Sequence, residues 1–408
     1  MKTVKINPIT LIYLLFNGLF SFALSFFFAT YAPFLIEKGM NLWQINIINA
    51  FFMIFIVLAE MPTGGFADKF GRHHSLTFGC FILSSSFIIY YFSDSFVIFI
   101  LAEVIGAIGQ TFISGAAEAW LVDSLNIRKE GELKEKVFRQ EMISKSIGVI
   151  MGCVAGGFLG NINLSLPWLG SAFFMFLTGI FSWFFIKENY TLEMASHRQA
   201  CSLINQIKET WHHGIKNEQL LYVMSFGAVI AFSVQPINMQ WAILFKDAYN
   251  FSSLNLSFIF VAISLSLALG GKFSKKLKKL IKNEKLALIA PQLITALAII
   301  ICSQVTGLFL MTGAFLLHEF CRGIFNPLKQ NYLNKFLQPE KRATLLSLES
   351  MFVKLGAFSG LIISGFLAEA LGIKWTWLLS GAFLAILSII FIVKTKKSDL
   401  TKTTITIK

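Results

Sequence analysis

Charge is scarce in this chain: Asp, Glu, Lys and Arg make up 14% of its 408 residues, against 55% that are hydrophobic. So small a charged fraction over this length excludes a water-facing domain folded around one core and points to a polytopic membrane protein. Acid is scarcer than base, 22 residues against 35, for a formal net charge of +13. The excess base lies in short loops between apolar runs, which fits lipid headgroups and membrane orientation and argues against nucleic acid as a partner. Cysteine is also sparse: Cys80, Cys153, Cys201, Cys302 and Cys321 are odd in number and scattered. They offer neither a disulfide framework nor a metal-ligand spacing and read as packing residues. A Walker-type phosphate loop, a Ser/His/Asp order and a zinc motif are all missing. ATP-driven pumping and intramembrane hydrolysis therefore lack their residues, and no enzyme activity, cofactor or metal is expected.

What the chain has instead is long apolar runs. A membrane-crossing helix needs ~20 such residues, and cutting at polar turns gives twelve spans: 8–36, 43–66, 75–92, 95–122, 137–161, 165–187, 218–246, 252–272, 286–304, 306–334, 342–369 and 373–394. The first is too long for a signal-peptide core and is expected to be retained. Loop charge tests the count, because one missed helix would invert every later loop. With both termini cytoplasmic, the inside loops collect Lys69 and Arg72, Arg128 to Lys136, Lys187 to Lys216, the run from Lys272 to Lys282, then Lys335, Lys341 and Arg342. The outside loops hold only Lys38, Lys246 and Lys374, as the positive-inside rule requires.

The chain also repeats itself. Gly148, Gly152 and Gly157-Phe158-Leu159 align without gaps on Gly356, Gly360 and Gly365-Phe366-Leu367, and Glu141 falls on Glu349. Gly64-Gly65 likewise matches Gly270-Gly271, with Ser274 where the first copy has Asp68. The expected fold is thus an all-α integral membrane protein of twelve transmembrane helices in two pseudo-symmetric six-helix halves, 1–187 and 218–408, joined by a cytoplasmic linker 188–217.

Between the second and third spans the sequence reads Gly64-Gly65-Phe66-Ala67-Asp68-Lys69-Phe70-Gly71-Arg72-His73-His74. It reads as a short charged turn, with glycines for tight bending and Asp68 and Arg72 to hold neighbouring helix ends. This stretch resembles the signature loop of the major facilitator superfamily. Glu60-Met61-Pro62-Thr63-Gly64, the run Ser114 to Asp123, and Arg342-Ala343-Thr344 are similar to bacterial members labelled as efflux transporters. The resemblance implies alternating access, with Gly64, Asp68, Gly71 and Arg72 forming the cytoplasmic gate and helices one, four, seven and ten lining a cavity. Asp123, at the inner end of helix four, is the expected partner of Arg72. It further implies a monomer in a bacterial cytoplasmic membrane. One departure stands out: antiporters of the superfamily often carry an arginine in the outer part of helix four, where this chain reads Glu103-Val104-Ile105-Gly106.

An ionisable group inside the bilayer costs ~2.5–3.5 kcal/mol on insertion scales and is a functional candidate by default. Glu319 and Arg322 fall near the middle of helix ten at i and i+3, so they form either a substrate or proton site or an ion pair that locks the helix. Glu118 and Glu349 are further candidate carboxylates, and Glu349 and Lys354 each need a partner from elsewhere. Glu141 and Lys145, at i and i+4, suit a structural pair, while Glu103, in the outer third of helix four, fits a pH-sensitive outer gate or a paired structural carboxylate. Asn17 on helix one, Gln235 and Asn238 beside Pro236 on helix seven, and Asn326 beside Pro327 on helix ten add polar groups to the site. The function expected is secondary transport of a small organic solute, with a proton or other ion gradient driving export. Import of a metabolite, or a non-transporting membrane sensor of the same fold, are the alternatives.

Overall fold

The structure, a computed structural model, describes residues 7–188, 217–336 and 342–406. All but the ends of the expected linker 188–217 therefore lie outside the described residues. The helices in chain order are α1 (Pro8–Ser25), α2 (Tyr31–Glu37), α3 (Leu42–Phe70), α4 (Arg72–Phe92), α5 (Phe96–Ile113), α6 (Ala116–Ile127), α7 (Lys134–Ile162) and α8 (Leu166–Phe185). They continue with α9 (Glu218–Tyr249), α10 (Ser253–Leu280), α11 (Glu284–Gln304), α12 (Leu308–Leu333), α13 (Arg342–Leu371) and α14 (Ile373–Thr406). Among the described residues, twelve spans are long and apolar enough to cross a bilayer, and each overlaps one expected from the apolar runs.

Three local expectations need correction. The span 8–36 is not one helix: α1 ends at Ser25, and α2 begins at Tyr31 after a turn. Within that turn Thr30 N–H donates to the Phe27 carbonyl, while the Ser25 and Thr30 hydroxyls bond to the Phe22 and Phe27 carbonyls. Hydroxyls that take up local carbonyls compete with the helix ladder. The span 95–122 is also broken, between α5 and α6, where Gly115 has φ +77°; only glycine adopts that conformation without strain. Finally, the charged stretch after Pro62 is mostly helix. Gly64, Gly65, Asp68 and Lys69 belong to the last turns of α3, and the chain reverses at Gly71 alone, where φ is +97°.

The chain divides into two compact units. One takes the described residues of Met1–Ala200 together with Asn250–Val261; the other takes those of Cys201–Tyr249 and Ala262–Lys408. In the first, α7 packs on α1 along glycines: a Cβ added at Gly148, Gly152 or Gly156 would collide with the carbonyl oxygens of Gly18, Phe22 and Phe26. In the second, α13 packs on α9 the same way, with Gly356 and Gly360 against the carbonyls of Ala228 and Phe232. Small residues let membrane helices approach until backbone meets backbone, and the repeated glycines of the sequence serve that purpose in both units.

Candidate functional site

In the second unit the polar groups converge on α12. Glu319 is 2% exposed near the middle of the helix. Arg322, one turn on, donates from Nη1 to Glu319 Oε1 at 2.9 Å and Oε2 at 2.8 Å, and also to Asn238 Oδ1 of α9 at 2.9 Å. Asn238 in turn donates from Nδ2 to Gln235 Oε1 at 3.2 Å. Four expected site residues, Gln235, Asn238, Glu319 and Arg322, thus form one connected group spanning two helices. Arg322 keeps 27% of its side chain exposed while the carboxylate it holds is shut away, so the pair has one accessible end. Breaking such a pair by truncating one partner costs roughly 3–5 kcal/mol, because the other charge stays buried.

His318 belongs beside this group, as one of the ionisable residues that the tenth apolar span carries together with Glu319 and Arg322. It is fully buried, with Nδ1 3.1 Å from the Phe315 carbonyl and 3.7 Å from Glu319 Oε1, and Nε2 has no partner. A donated Nδ1–H leaves Nε2 as a free acceptor. The signal was its adjacency to Glu319 on an otherwise apolar stretch. Asn326, also expected at the site, is exposed and is not hydrogen-bonded to the group.

Glu349 goes elsewhere. Its Oε1 accepts from Lys329 Nζ at 2.6 Å, and both residues are less than a tenth exposed. The expected search for a partner beyond Lys354 ends at Lys329, seven residues after Arg322 and hence on a similar face of α12. In the first unit Asn17 is buried, with Nδ2 donating to the Tyr13 carbonyl at 2.9 Å. Tyr13 hydroxyl donates to Glu141 at 2.6 Å, and Glu141 is paired with Lys145, as their spacing predicts. Glu118 stands exposed in the first turn of α6.

The residues expected to form the gate are partly gathered. Arg72, 6% exposed at the start of α4, forms an ion pair with Asp123 of α6. Asp68 is exposed on the last turn of α3, and Gly64 lies in the helix with open space where a Cβ would be. Two contacts add what sequence spacing cannot show. Trp120 Nε1 donates to the Lys187 carbonyl at 2.8 Å, and His73 N–H donates to Glu188 Oε2 at 3.0 Å. That carboxylate fills the space where a Cβ on Gly71 would stand. Among the described residues no cluster of His, Cys, Asp and Glu is placed to hold a metal ion.

Comparison with known proteins follows this geometry. The chain matches the family model of the Major Facilitator Superfamily over residues 13–290 and again over 282–406. It is 28% identical to the uncharacterized MFS-type transporter YxaM of Bacillus subtilis (strain 168), over 94% of this chain and 95% of that protein. Multidrug resistance protein 2 of the same organism is 22% identical, with 86% of each chain covered. Among solved structures, the nucleoside transporter NupG superposes with a TM-score of 0.81 in a mutant form, at 15% identity over 94% of this chain and 99% of that one. A bacterial homologue of the human lysosomal transporter Spinster gives 0.76 at 14% identity, over 95% of this chain and 96% of the other. At these identities the structural likeness speaks for the fold alone.

Proposed function

Because the chain belongs to the Major Facilitator Superfamily, and is therefore a multi-pass membrane transporter and not an enzyme, we propose that it exports a small organic solute in exchange for protons. It acts as a monomer in a bacterial cytoplasmic membrane with both termini inside, driven by the ion gradient without a bound cofactor. The observation that carries this reading is the Glu319–Arg322–Asn238 group. While Glu319 is ionised it holds the Arg322 guanidinium in place, and the accessible end of Arg322 meets an anionic or polar group of the solute. A proton added to Glu319 turns the carboxylate into a neutral acid, ends that hold and displaces the solute, so proton and solute use the site in turn. Export is favoured over import by the kinship with a protein named for multidrug resistance. The gate is assigned to Asp68, Gly71, Arg72 and Asp123: the Arg72–Asp123 pair fastens the cytoplasmic ends of α4 and α6, and its release accompanies opening.

Proteoliposomes under an imposed pH gradient, screened with a mixed metabolite and drug pool, identify a transported solute. With it, Glu319→Gln is expected to abolish gradient-driven accumulation and spare downhill exchange, because the amide still accepts a hydrogen bond but does not titrate. Arg322→Ala is expected to impair both. Normal gradient-driven transport by a well-folded Glu319→Gln protein would return the pair to a structural role.

A further inference from the structure

Four carboxylates of the described residues are buried, and three of them have a cation: Glu141 has Lys145, Glu319 has Arg322, and Glu349 has Lys329. Glu103 differs. It is 7% exposed inside α5, and among the described residues no basic side chain pairs with it. Two phenols hold it instead: the hydroxyls of Tyr31 and Tyr90 both donate to Oε1, each at 2.7 Å.

Aromatic rings pack around those hydroxyls. The Tyr90 ring lies flat on Trp168, with centroids 3.9 Å apart and an interplanar angle of 2°, and Phe27 stacks on the same indole at 4.2 Å. The Asn49 side chain of α3 bonds to Tyr31. The helices packed on α5 bring no charge to this point. On α4 the titratable groups Arg72, His73 and His74 are in the first turn, about 27 Å along the helix from Tyr90. On α3 they are Glu60, Asp68 and Lys69 near its last turns, and on α6 Glu118 and Asp123, beyond the Gly115 break. α2 has Glu37 at its end, and the Lys38 that follows is paired with Asp94. α8 has no charged residue.

A carboxylate in such a place is penalised as an ion, and two charge-assisted hydrogen bonds offset a penalty of the same order. The balance is therefore close, and a single proton tips it. At the three cation-paired sites a proton has in addition to break an ion pair. We propose that Glu103, clasped by Tyr31 and Tyr90, is a proton-binding site of the first unit, and that taking up a proton loosens α2 from α4 and α5. The proton adds to Oε2, the charge goes from −1 to neutral, and only hydrogen bonds change. Tyr31 is the first residue of α2, immediately after the turn that breaks the first span, so the change is delivered to a segment already free of the α1 helix ladder. This site stands independently of the role given to Glu319.

The test is infrared titration of the full-length protein in lipid nanodiscs, which needs no transported solute. An acid-minus-alkaline difference spectrum is expected to contain a protonated-carboxyl band that Glu103→Gln removes and Glu319→Gln retains. Tyr31→Phe and Tyr90→Phe are expected to keep the band but displace its pH midpoint by about half a unit or more. A spectrum from which Glu103→Gln removes no protonated-carboxyl band overturns the proposal and leaves the Glu319 reading intact, since the band of Glu319 is the one that Glu319→Gln removes. Where Glu103→Gln does not fold, the phenylalanine variants decide, and an unmoved midpoint in both overturns it.

Discussion

The turn after α3 and its repeat after α10 solve the same problem by opposite means. At the start of α11, Asn283 caps the helix itself, its side-chain oxygen accepting from Lys285 and Leu286 N–H at 3.1 and 3.2 Å. Glu284 follows in the first turn and is held by Lys335 at 2.7 Å. At the start of α4 there is no local side-chain cap; Gly71 makes the reversal at positive φ, and the orphan N–H of His73 is met by Glu188, more than a hundred residues away. The second turn carries its own cap in Asn283, and the tie to Lys335 adds to it. The first depends on the end of α8 and on α6 staying close, so it registers their position, as the proposed gate requires.

Substitutions can break that contrast. The largest effect is expected from Gly71→Ala, which strains a positive φ and expels the Glu188 carboxylate: a loss of more than about 2 kcal/mol in stability, read by thermal unfolding in detergent, with transport abolished. The second turn contains no residue at positive φ and has no equivalent weak point. Next come Arg72→Ala and Asp123→Asn, each expected to cut transport, with a coupling in the double variant above about 0.5 kcal/mol. Simple additivity would separate the two residues and remove α6 from the gate. Glu188→Gln and Asn283→Ala should each cost about 1 kcal/mol as helix-start contacts, yet only the first should change transport; equal transport losses would erase the distinction between the copies. The smallest effect is expected at Gly64→Ala. An interior helix position with open space should gain up to about 1 kcal/mol from alanine, whereas a loss would restore Gly64 to a turn.

Much of the architecture was legible because the bilayer imposes it: twelve apolar runs and one-sided loop charge leave few alternatives. The breaks at Phe26–Thr30 and Ser114–Gly115 were not, since serine, threonine and glycine are ordinary inside membrane helices and carry no fixed signal there. The Gly64-Gly65 pair misled in the other direction. Its composition reads as a turn, but helix α3 continues through it. At the site, Glu319 and Arg322 could be matched by spacing along one helix, and Gln235 and Asn238 by their rarity in an apolar span. The Lys329–Glu349 pair and the two tyrosines on Glu103 join residues from different helices, and no periodicity in one segment encodes a contact to another.

The glycine seams have a consequence for how these two helix pairs can vary. On one side of each seam the nearest atoms are mainly backbone, above all the carbonyl oxygens of Gly18, Phe22 and Phe26 or of Ala228 and Phe232, with Ser25 Oγ also beside Gly152. Every residue type supplies a carbonyl, so the seam places little demand on side-chain identity there except at Gly18, where a Cβ would meet Ser144 Oγ of α7. On the other side a single methyl group drives backbone from backbone. Substitution tolerance should therefore be one-sided: a saturation library across α1 and α7 would show Gly148, Gly152 and Gly156 intolerant of even alanine, while the seam leaves their opposite numbers on α1 to be judged by their other contacts.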